Sequence, residues 1–480
     1  MSKKRSLANN AILNTIKTVL GVLFPLITFP YVSRVLGVKN LGIYNFSFSF
    51  LSYFLLLAAL GISTYGIREG TQYRDNRAQI EEFVGELFSI NIFSTLFAYL
   101  LLILLLYAIP FMEPYRKVVL ILSVEIIFTT VGVSWVCNIY EDFLAITVRT
   151  ISFQIVSLIL IFVLVRTTDD LYKYVGILLL SNSGANIVNY FYVRNRYCKF
   201  HFSLKINWRR LLRPILIIFS TTVTITVYVS SDTTMLGFMT NDYEVGLYGT
   251  AVKIYTIMKN VLAAILTVLI PQFSLMFSNG NKEQSDLLFS KVFNILTAMM
   301  LPMCIGLFSL SEDVVQVVSG REYIGAAGSL KLLSIAVIFS LYSYMYTQCV
   351  LIPIKEEKIV LRATLISAIV NIVLNFILIP IWGINAAAFT TIMAELITFV
   401  ISFIYSKRTV KLISYKKNII STLIGCIFIF LVCFTCKTID SLTIRVTISV
   451  FGSVLAYGIV LLISNNPILA ELKEIALKRR

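Results

Sequence analysis

The sequence predicts an all-α, polytopic membrane protein with about 14 transmembrane helices, arranged as two pseudo-symmetric six-helix bundles plus an extra C-terminal helix pair. Composition, long uncharged apolar runs and an internal repeat support this fold class. Of the 480 residues, 58% are hydrophobic and 14% are charged, and the mean hydropathy is +0.85. A soluble protein usually carries about 25% charged residues. The composition therefore indicates a chain whose main solvent is a lipid bilayer.

Apolar runs along the chain supply the predicted spans, since a helix needs roughly 20 apolar residues to cross the hydrocarbon core. The run 363–394 is too long for one span, and its Pro380 and Gly383 predict two helices joined by a tight turn. The other predicted spans lie near 10–33, 41–67, 87–109, 118–140, 150–165, 174–193, 214–231, 245–272, 292–310, 332–354, 418–436 and 446–470.

The distribution of positive charge predicts the orientation of the spans. Most of the 41 Lys and Arg residues lie in the tails and in alternate loops on one side of the membrane. Cytoplasmic loops are enriched in these residues, so both termini are expected in the cytoplasm. The same bias explains the net charge of +16 without a nucleic-acid partner. No signal-peptide cleavage site follows Lys3, Lys4 and Arg5, so the first segment is expected to stay as a helix.

The scarcity of catalytic and metal-binding residue types argues against an enzyme. The single histidine, His201, lies in a basic loop, so a zinc site or a Ser–His–Asp triad lacks its parts. Cys433-x-x-Cys436 lies in or beside an apolar span, where cysteine usually serves as a small buried apolar residue. No Walker A loop is present. We expect no cofactor, no metal and no direct use of ATP.

An internal repeat divides the chain. Leu36-Gly37 followed by Gly42-Ile43-Tyr44 is echoed by Leu236-Gly237 followed by Gly246-Leu247-Tyr248, and each copy lies between two predicted spans. Parallel repeats are a known transporter architecture, with the substrate site between the halves. The repeat predicts an N-lobe at 1–205, a C-lobe at 206–410 and extra helices at 411–480.

Cations inside the predicted spans mark a candidate binding site. Lys17, Lys253 and Lys259 lie on polar helical stripes of the first and eighth spans. A lysine near the centre of a span costs about 2.5–3.5 kcal/mol on insertion scales unless it meets water or a partner. One interpretation is a lumen that attracts an anionic head group such as pyrophosphate. The alternative is that these side chains reach the interface or form internal ion pairs.

Anionic side chains inside the spans are candidates for a coupling ion or for partners of the lumen lysines. Glu125 is aligned with Thr129, and Glu395 with Thr391. Either carboxyl could carry a proton or a sodium ion, because desolvation favours the neutral form; either could instead pair with a lysine. Asp232 lies near the outer end of its helix and is expected to be solvated or to face the lumen.

Segments 28–37 (TFPYVSRVLG), 42–44 (GIY), 61–62 (GI) and 68–69 (RE) resemble the opening of Wzx-type flippases, the O-antigen and capsule branch of the multidrug/oligosaccharidyl-lipid/polysaccharide exporter superfamily. The connection from Trp135 through Glu141-Asp142 to Arg149 is similar to that between the fourth and fifth helices of this family. In the predicted C-lobe, Asp232, 236–237 (LG), 246–248 (GLY) and Lys253 also fit the family.

The resemblance implies a non-enzymatic flippase in the bacterial cytoplasmic (inner) membrane. It would move undecaprenyl-pyrophosphate-linked oligosaccharide repeat units by alternating access for O-antigen, capsule or exopolysaccharide synthesis. A polysaccharide polymerase and glycosyltransferases would be its partners. Teichoic-acid precursor flippase, lipid II flippase and ion-coupled multidrug exporter stay open as alternatives. A membrane-embedded glycosyltransferase is a different class, which would need longer loops than this chain has.

Overall fold

The computed structural model describes residues 7–204, 206–279, 282–413 and 416–466, and these residues form helices and short connections without any β-strand. Contacts divide the chain into two compact units, Met1–Gly237 and Phe238–Arg480. The first unit therefore contains nearly all of the helix that begins at Trp208. The lobe boundaries at 205 and 410, which were drawn from the repeat, stay a prediction.

The first unit contains the first eight α-helices. Two short 3₁₀ segments, Pro110–Tyr115 and Thr168–Asp170, precede the fourth and seventh helices. The helices are α1 Leu7–Ala59, α2 Ile62–Gly70, α3 Arg77–Ala108, α4 Arg116–Gly132, α5 Ser134–Ile139, α6 Phe143–Leu164, α7 Leu171–Arg196 and α8 Trp208–Met239.

A backbone break divides α1 where the sequence predicts the join between its first two spans. Gly37 has φ 77° and ψ 170°, outside the helical region, and only glycine reaches such a conformation without strain. Pro25 and Pro30 lie within the helical part of α1, before the break. The kink in α1 therefore lies at a glycine, which lacks a Cβ.

The second unit contains the remaining eight helices. Asn241 caps its first helix by accepting the Glu244 backbone N–H at 3.0 Å. The helices are α9 Asp242–Ser278, α10 Lys282–Ser309, α11 Ser311–Ser319, α12 Ala327–Tyr346, α13 Glu357–Trp382, α14 Ile384–Ser406, α15 Lys416–Cys436 and α16 Leu442–Ile463.

The tight turn within the long run 363–394 is confirmed. Gly383 has φ 56° and ψ −135° and separates α13 from α14, which pack against each other. Further along, α15 packs against α10, and α16 packs against α11. An ion pair of 2.6 Å between Arg445 and Asp313 fixes the second of these contacts. The predicted extra helix pair is thus part of the second unit.

The helices present apolar side chains outwards, as lipid contact requires. On α3 and α16, Leu100 is 71% exposed and Phe451 is 67% exposed. By length and composition, ten described helices could each cross a bilayer, and a bent pair at Trp208–Thr224 and Thr226–Met239 raises the number to eleven. The chain is a multi-pass membrane protein.

The number of about 14 spans stays a prediction, and three segments account for the difference. The two spans predicted on either side of Gly37 both lie in α1, where the break at Gly37 separates them although they count as a single helix. The helix α4 has 17 residues, which is short for a span, and α7 is interrupted by polar residues such as Asn186.

Candidate functional site

A buried ion pair joins α9 to α14. The Lys259 Nζ lies 3.1 Å from the Glu395 Oε1, and the Tyr255 hydroxyl donates to the same oxygen at 3.3 Å. The Glu395 side chain is 8% exposed and that of Lys259 is 30% exposed. Of the six residues singled out from the sequence, Lys259 and Glu395 are the two that the described structure brings into contact. Their charges neutralise each other inside the second unit.

The sequence explains locally how this cluster is held. Tyr255 and Lys259 are four residues apart, so they lie one turn apart on the same face of α9. On α14, Thr390 donates to the Asn375 side chain at 2.6 Å and accepts from Asn371 at 3.3 Å. These buried hydrogen bonds connect α14 to α13. The asparagines of α13 are thus interhelical groups, and they fix the helix that carries Glu395.

Lys253 differs from Lys259 in its surroundings. It is half-buried in α9, and within the described part of the chain it makes no ion pair or hydrogen bond. Six residues separate the two lysines, which places them about 120° apart around the helix. Apart from these lysines, the charged residues of α9 are Asp242 and Glu244 in its first turn. Lys253 is therefore an uncompensated positive charge in an apolar helix.

Glu125 lies on α4 without a cationic partner. The residue is 9% exposed, and its Oε2 has no hydrogen-bond partner in the described structure. Among the described residues, no Lys or Arg forms an ion pair with it. The nearest cations along α4, Arg116 and Lys117, contact the rings of Tyr107 and Tyr172 instead. Among the side chains that the structure describes, this carboxyl has no lysine partner.

The two remaining candidates are Asp232 and Lys17. Asp232 is buried, with 8% of its surface exposed, so the expectation that it is solvated is wrong. Asp232, on α8, interacts electrostatically with the hydroxyl of Tyr53 on α1. Lys17 lies outside the residues whose side chains the structure describes.

A set of hydroxyl contacts joins α1 to α8 near Asp232; we call it the α1–α8 contact. Ser49 contacts the Thr234 hydroxyl at 2.6 Å and donates to the Ser230 carbonyl at 2.7 Å. Ser52 donates to the Ser230 hydroxyl at 2.9 Å, and Tyr53 donates to Thr234 at 3.2 Å. The polar stripes of the sequence indicated Ser49 and Ser52, but not their partners on α8.

Close backbone packing extends the α1–α8 contact. A Cβ added to Gly237 would lie 2.0 Å from the Phe46 ring, so the position requires glycine. Both residues belong to the first unit. The repeat of Leu-Gly at 36–37 and 236–237 therefore has two different causes: a backbone break at Gly37 and a steric requirement at Gly237.

The connection between α5 and α6 is held by polar contacts around Asp142. Its carboxylate accepts from the hydroxyls of Tyr192 at 2.5 Å and Tyr197 at 2.7 Å. Burial raises the pKa of Asp142, but these hydrogen bonds more than offset it and hold the pKa below its usual range. Arg149 stacks on the Tyr192 ring at 3.8 Å, and Arg74 pairs with Glu141 at 3.2 Å. This connection is a structural joint.

The cysteine pair in α15 is also structural. Cys433 and Cys436 are free and buried, and the Cys433 Sγ lies 3.6 Å from the Ser453 hydroxyl. Cys433 packs in a small apolar cluster with Leu310 and Ile429. Within the described ranges, no group of three or more His, Cys, Asp or Glu residues could hold a metal ion.

Comparisons with known proteins are consistent with this architecture. Residues 7–277 match the family described as polysaccharide biosynthesis protein. A protein of Shigella dysenteriae designated a candidate O-antigen transporter is 25% identical over 399 residues, covering 81% of this chain and 96% of that protein. A protein of Escherichia coli with the same designation is 23% identical over 408 residues, covering 82% and 95%.

Solved structures give the fold. The lipid II flippase MurJ, in an inward closed conformation, superposes with a TM-score of 0.73 at 15% identity, covering 95% of this chain and 99% of that one. An inward-facing multidrug transporter of the MATE family superposes with a TM-score of 0.62 at 14% identity, covering 80% and 93%. At these identities the similarity establishes the shared fold.

Proposed function

We propose that this chain, which belongs to the polysaccharide biosynthesis protein family, is a flippase for undecaprenyl-pyrophosphate-linked oligosaccharide repeat units. It would act by alternating access in the cytoplasmic membrane of a bacterium, with both termini in the cytoplasm. Its product would enter O-antigen, capsule or exopolysaccharide synthesis. The O-antigen designations of the two bacterial relatives support this substrate class over lipid II.

The observation that carries the proposal is the unpaired charge of Lys253. An ammonium group in a membrane-spanning helix is costly unless water or an anion accompanies it. Lys259 meets this requirement internally through Glu395. Lys253 has no such partner among the described residues, so an anionic group of the substrate can compensate its positive charge. A pyrophosphate has the charge for this role, while its sugars occupy polar surface and its prenyl tail stays in lipid.

The α1–α8 contact suits a protein that changes conformation. In the predicted topology, Ser49 and Thr234 lie towards the outer ends of their spans. Hydrogen bonds between membrane helices average only about 0.6 kcal/mol, and this contact contains hydroxyls without an ion pair. Such a contact can form and break repeatedly. We expect it to open when the substrate leaves on the outer side.

Transport by purified protein in liposomes tests the proposal directly. The measurement is the appearance of a fluorescent undecaprenyl-pyrophosphate oligosaccharide in the opposite leaflet, with and without a sugar donor. We expect the Lys253→Ala variant to flip this lipid at least about tenfold more slowly, which corresponds to about 1.4 kcal/mol. Lys331→Ala is the matched control, because Lys331 lies near the start of α12 and already pairs with Glu312.

Further arms separate the alternatives. Lipid II and a cationic drug replace the labelled lipid in parallel liposomes. If lipid II were flipped faster than the labelled oligosaccharide lipid, the protein would be a lipid II flippase. Export of the drug would instead indicate a multidrug exporter. A product larger than the added oligosaccharide in the presence of sugar donor would indicate a polymerase. Wild-type flipping by Lys253→Ala would remove Lys253 from the site.

A further inference from the structure

We infer that Glu125 is a proton-binding site of the first unit, loaded with a proton in the conformation described here. The inference concerns a group that substrate binding does not use. It therefore does not depend on which lipid the protein carries. It rests on the burial of the carboxyl group, on the hydrogen-bond partner that its Oε2 lacks and on the contacts that the nearby cations make with other groups.

Glu125 is enclosed by α1, α3 and α7, which pack against α4. It is ten residues into the α4 sequence that starts at Arg116, and it is 9% exposed. Its Oε2 has no hydrogen-bond partner in the described structure. An ionised carboxylate that is largely buried and has no counter-ion is strongly disfavoured, and the neutral form is favoured in such a position.

The titratable groups around Glu125 do not supply a positive charge. Tyr44 on α1 interacts electrostatically with Glu125, and its ring lies 5.4 Å from that of Tyr174 on α7. On α3, the Tyr99 hydroxyl donates to the Ser123 carbonyl at 2.5 Å. All three tyrosines are neutral when protonated. They provide a polar lining that does not stabilise an ionised carboxylate as a cation would.

The nearby cations are directed elsewhere. Arg116 lies 4.0 Å from Glu113 in the preceding 3₁₀ segment and 4.9 Å above the Tyr107 ring. Lys117 lies 5.9 Å from the Tyr172 ring. Both belong to the first turn of α4, more than two turns from Glu125. No cation among the described side chains compensates Glu125, and a proton can take this role.

Proton loading at this position would be sensitive to conformation. The carboxyl keeps its proton while α1, α3 and α7 exclude water from it. Movement of these helices that admits water leaves a carboxylate and a released hydronium ion, so charge is conserved. If loading and release face opposite sides of the membrane, the unit moves one proton per cycle. A multivalent metal ion is a poorer fit, because no cluster of three or more acidic, His or Cys ligands occurs in the described residues.

Infrared spectroscopy of the purified full-length protein at neutral pH tests the protonation state. A protonated carboxyl has its own carbonyl stretching band, which shifts in heavy water. We expect this band in the wild-type protein and in Glu395→Gln, and its loss in Glu125→Gln. Loss of the band in Glu395→Gln, or its persistence in Glu125→Gln, would overturn the assignment. Glutamine preserves the shape of the side chain, and gel filtration checks that each variant is folded.

Transport under ion gradients tests whether the site is used. The ratio of flipping rates with and without a pH gradient is measured in wild-type, Glu125→Gln and Lys331→Ala liposomes. We expect a ratio above unity in the wild type and in Lys331→Ala, and a ratio of unity in Glu125→Gln. An unchanged ratio in Glu125→Gln, or a response of the wild type to sodium but not to pH, would overturn the role of a proton. Substrate identity does not enter this ratio.

Discussion

The two units bury a carboxyl group to a similar extent but surround it differently. Glu125 in the first unit is 9% exposed, and Glu395 in the second is 6% exposed. Glu395 receives the Lys259 ammonium and the Tyr255 hydroxyl. Glu125 receives neither a cation nor a hydrogen bond at its Oε2. Burial alone therefore does not assign a role to an acidic residue in a membrane helix, because its partners determine whether it can be ionised.

The repeated segments differ in the same way. Counting from the matching Tyr44 and Tyr248, Ser49 in the first copy corresponds to Lys253 in the second. Ser49 is buried and hydrogen-bonded to α8, whereas Lys253 is half-buried and makes no ion pair among the described residues. The same position of the sequence repeat is closed by hydroxyls in one unit and presents a charge in the other. The first copy therefore takes part in helix packing, whereas the second leaves a cation available for the role proposed above for Lys253.

The largest expected effect comes from breaking the ion pair of the second unit. Lys259→Met should lower the free energy of unfolding in detergent by up to about 3–5 kcal/mol, because it leaves Glu395 buried and unpaired. The measurement is denaturant unfolding of the purified protein. The double variant with Glu395→Gln should recover most of the loss. Equal losses in the single and double variants would show that the two side chains are not coupled.

The matching change in the first unit should have almost no effect on stability. With Glu125 protonated as inferred above, Glu125→Gln replaces a neutral carboxyl with a neutral amide of similar shape, and no ion pair among the described residues is lost. A destabilisation comparable with that of Lys259→Met would mean that Glu125 is ionised and stabilised by its surroundings, contrary to the inference above.

A steric test compares glycines of the two units. Gly237→Ala should destabilise the protein by about 1–3 kcal/mol, the usual cost of overpacking, because the new Cβ would meet the Phe46 ring at 2.0 Å. Gly306→Ala on α10 is the control, since nothing lies within 4 Å of its Cβ position. That change should stabilise the helix by up to about 1 kcal/mol. Equal effects of both variants on the thermal midpoint would contradict the close α1–α8 packing.

Acid sensitivity tests a carboxylate outside the spans. Lys173, at 2.6 Å, and the backbone N–H groups of Arg166 and Thr167 hold the pKa of Asp170 well below its usual range. A depressed pKa contributes stability that is complete above the unfolded value of about 3.9 and is lost as the pH falls towards the folded value. Asp170→Asn should therefore lower the thermal midpoint near neutral pH and reduce its dependence on pH below about 4. A slope equal to that of the wild type would exclude this contribution.

A small effect is also expected at the exposed ion pair of the second unit. Lys331 and Glu312 lie 2.8 Å apart, with side chains 35% and 60% exposed. Such surface pairs contribute about 0–1 kcal/mol. Lys331→Ala should therefore change the denaturation midpoint far less than Lys259→Met. A similar loss in both variants would show that burial does not distinguish the two pairs.

The sequence was sufficient for the features that depend on local pattern. Uncharged apolar runs predicted a helical membrane protein, and Pro380 with Gly383 predicted the turn between α13 and α14. Side-chain hydrogen bonding was also predictable for Asn371 and Asn375, since amides inside spans need partners. Family membership was apparent from short segments around Gly37 and Tyr44, and the match over residues 7–277 confirms it.

The pairing of charges was decided by tertiary structure alone. Helical spacing places Lys259 beside Tyr255 on α9, but it cannot tell that Glu395, which follows more than a hundred residues later, faces them. It equally cannot tell that Asp232 is buried or that Gly237 meets Phe46. A sequence pattern fixes which residues share a face of one helix, because that depends on local geometry. Which faces meet depends on the packing of all the helices, and among the described residues this packing leaves Lys253 and Glu125 without ionic partners.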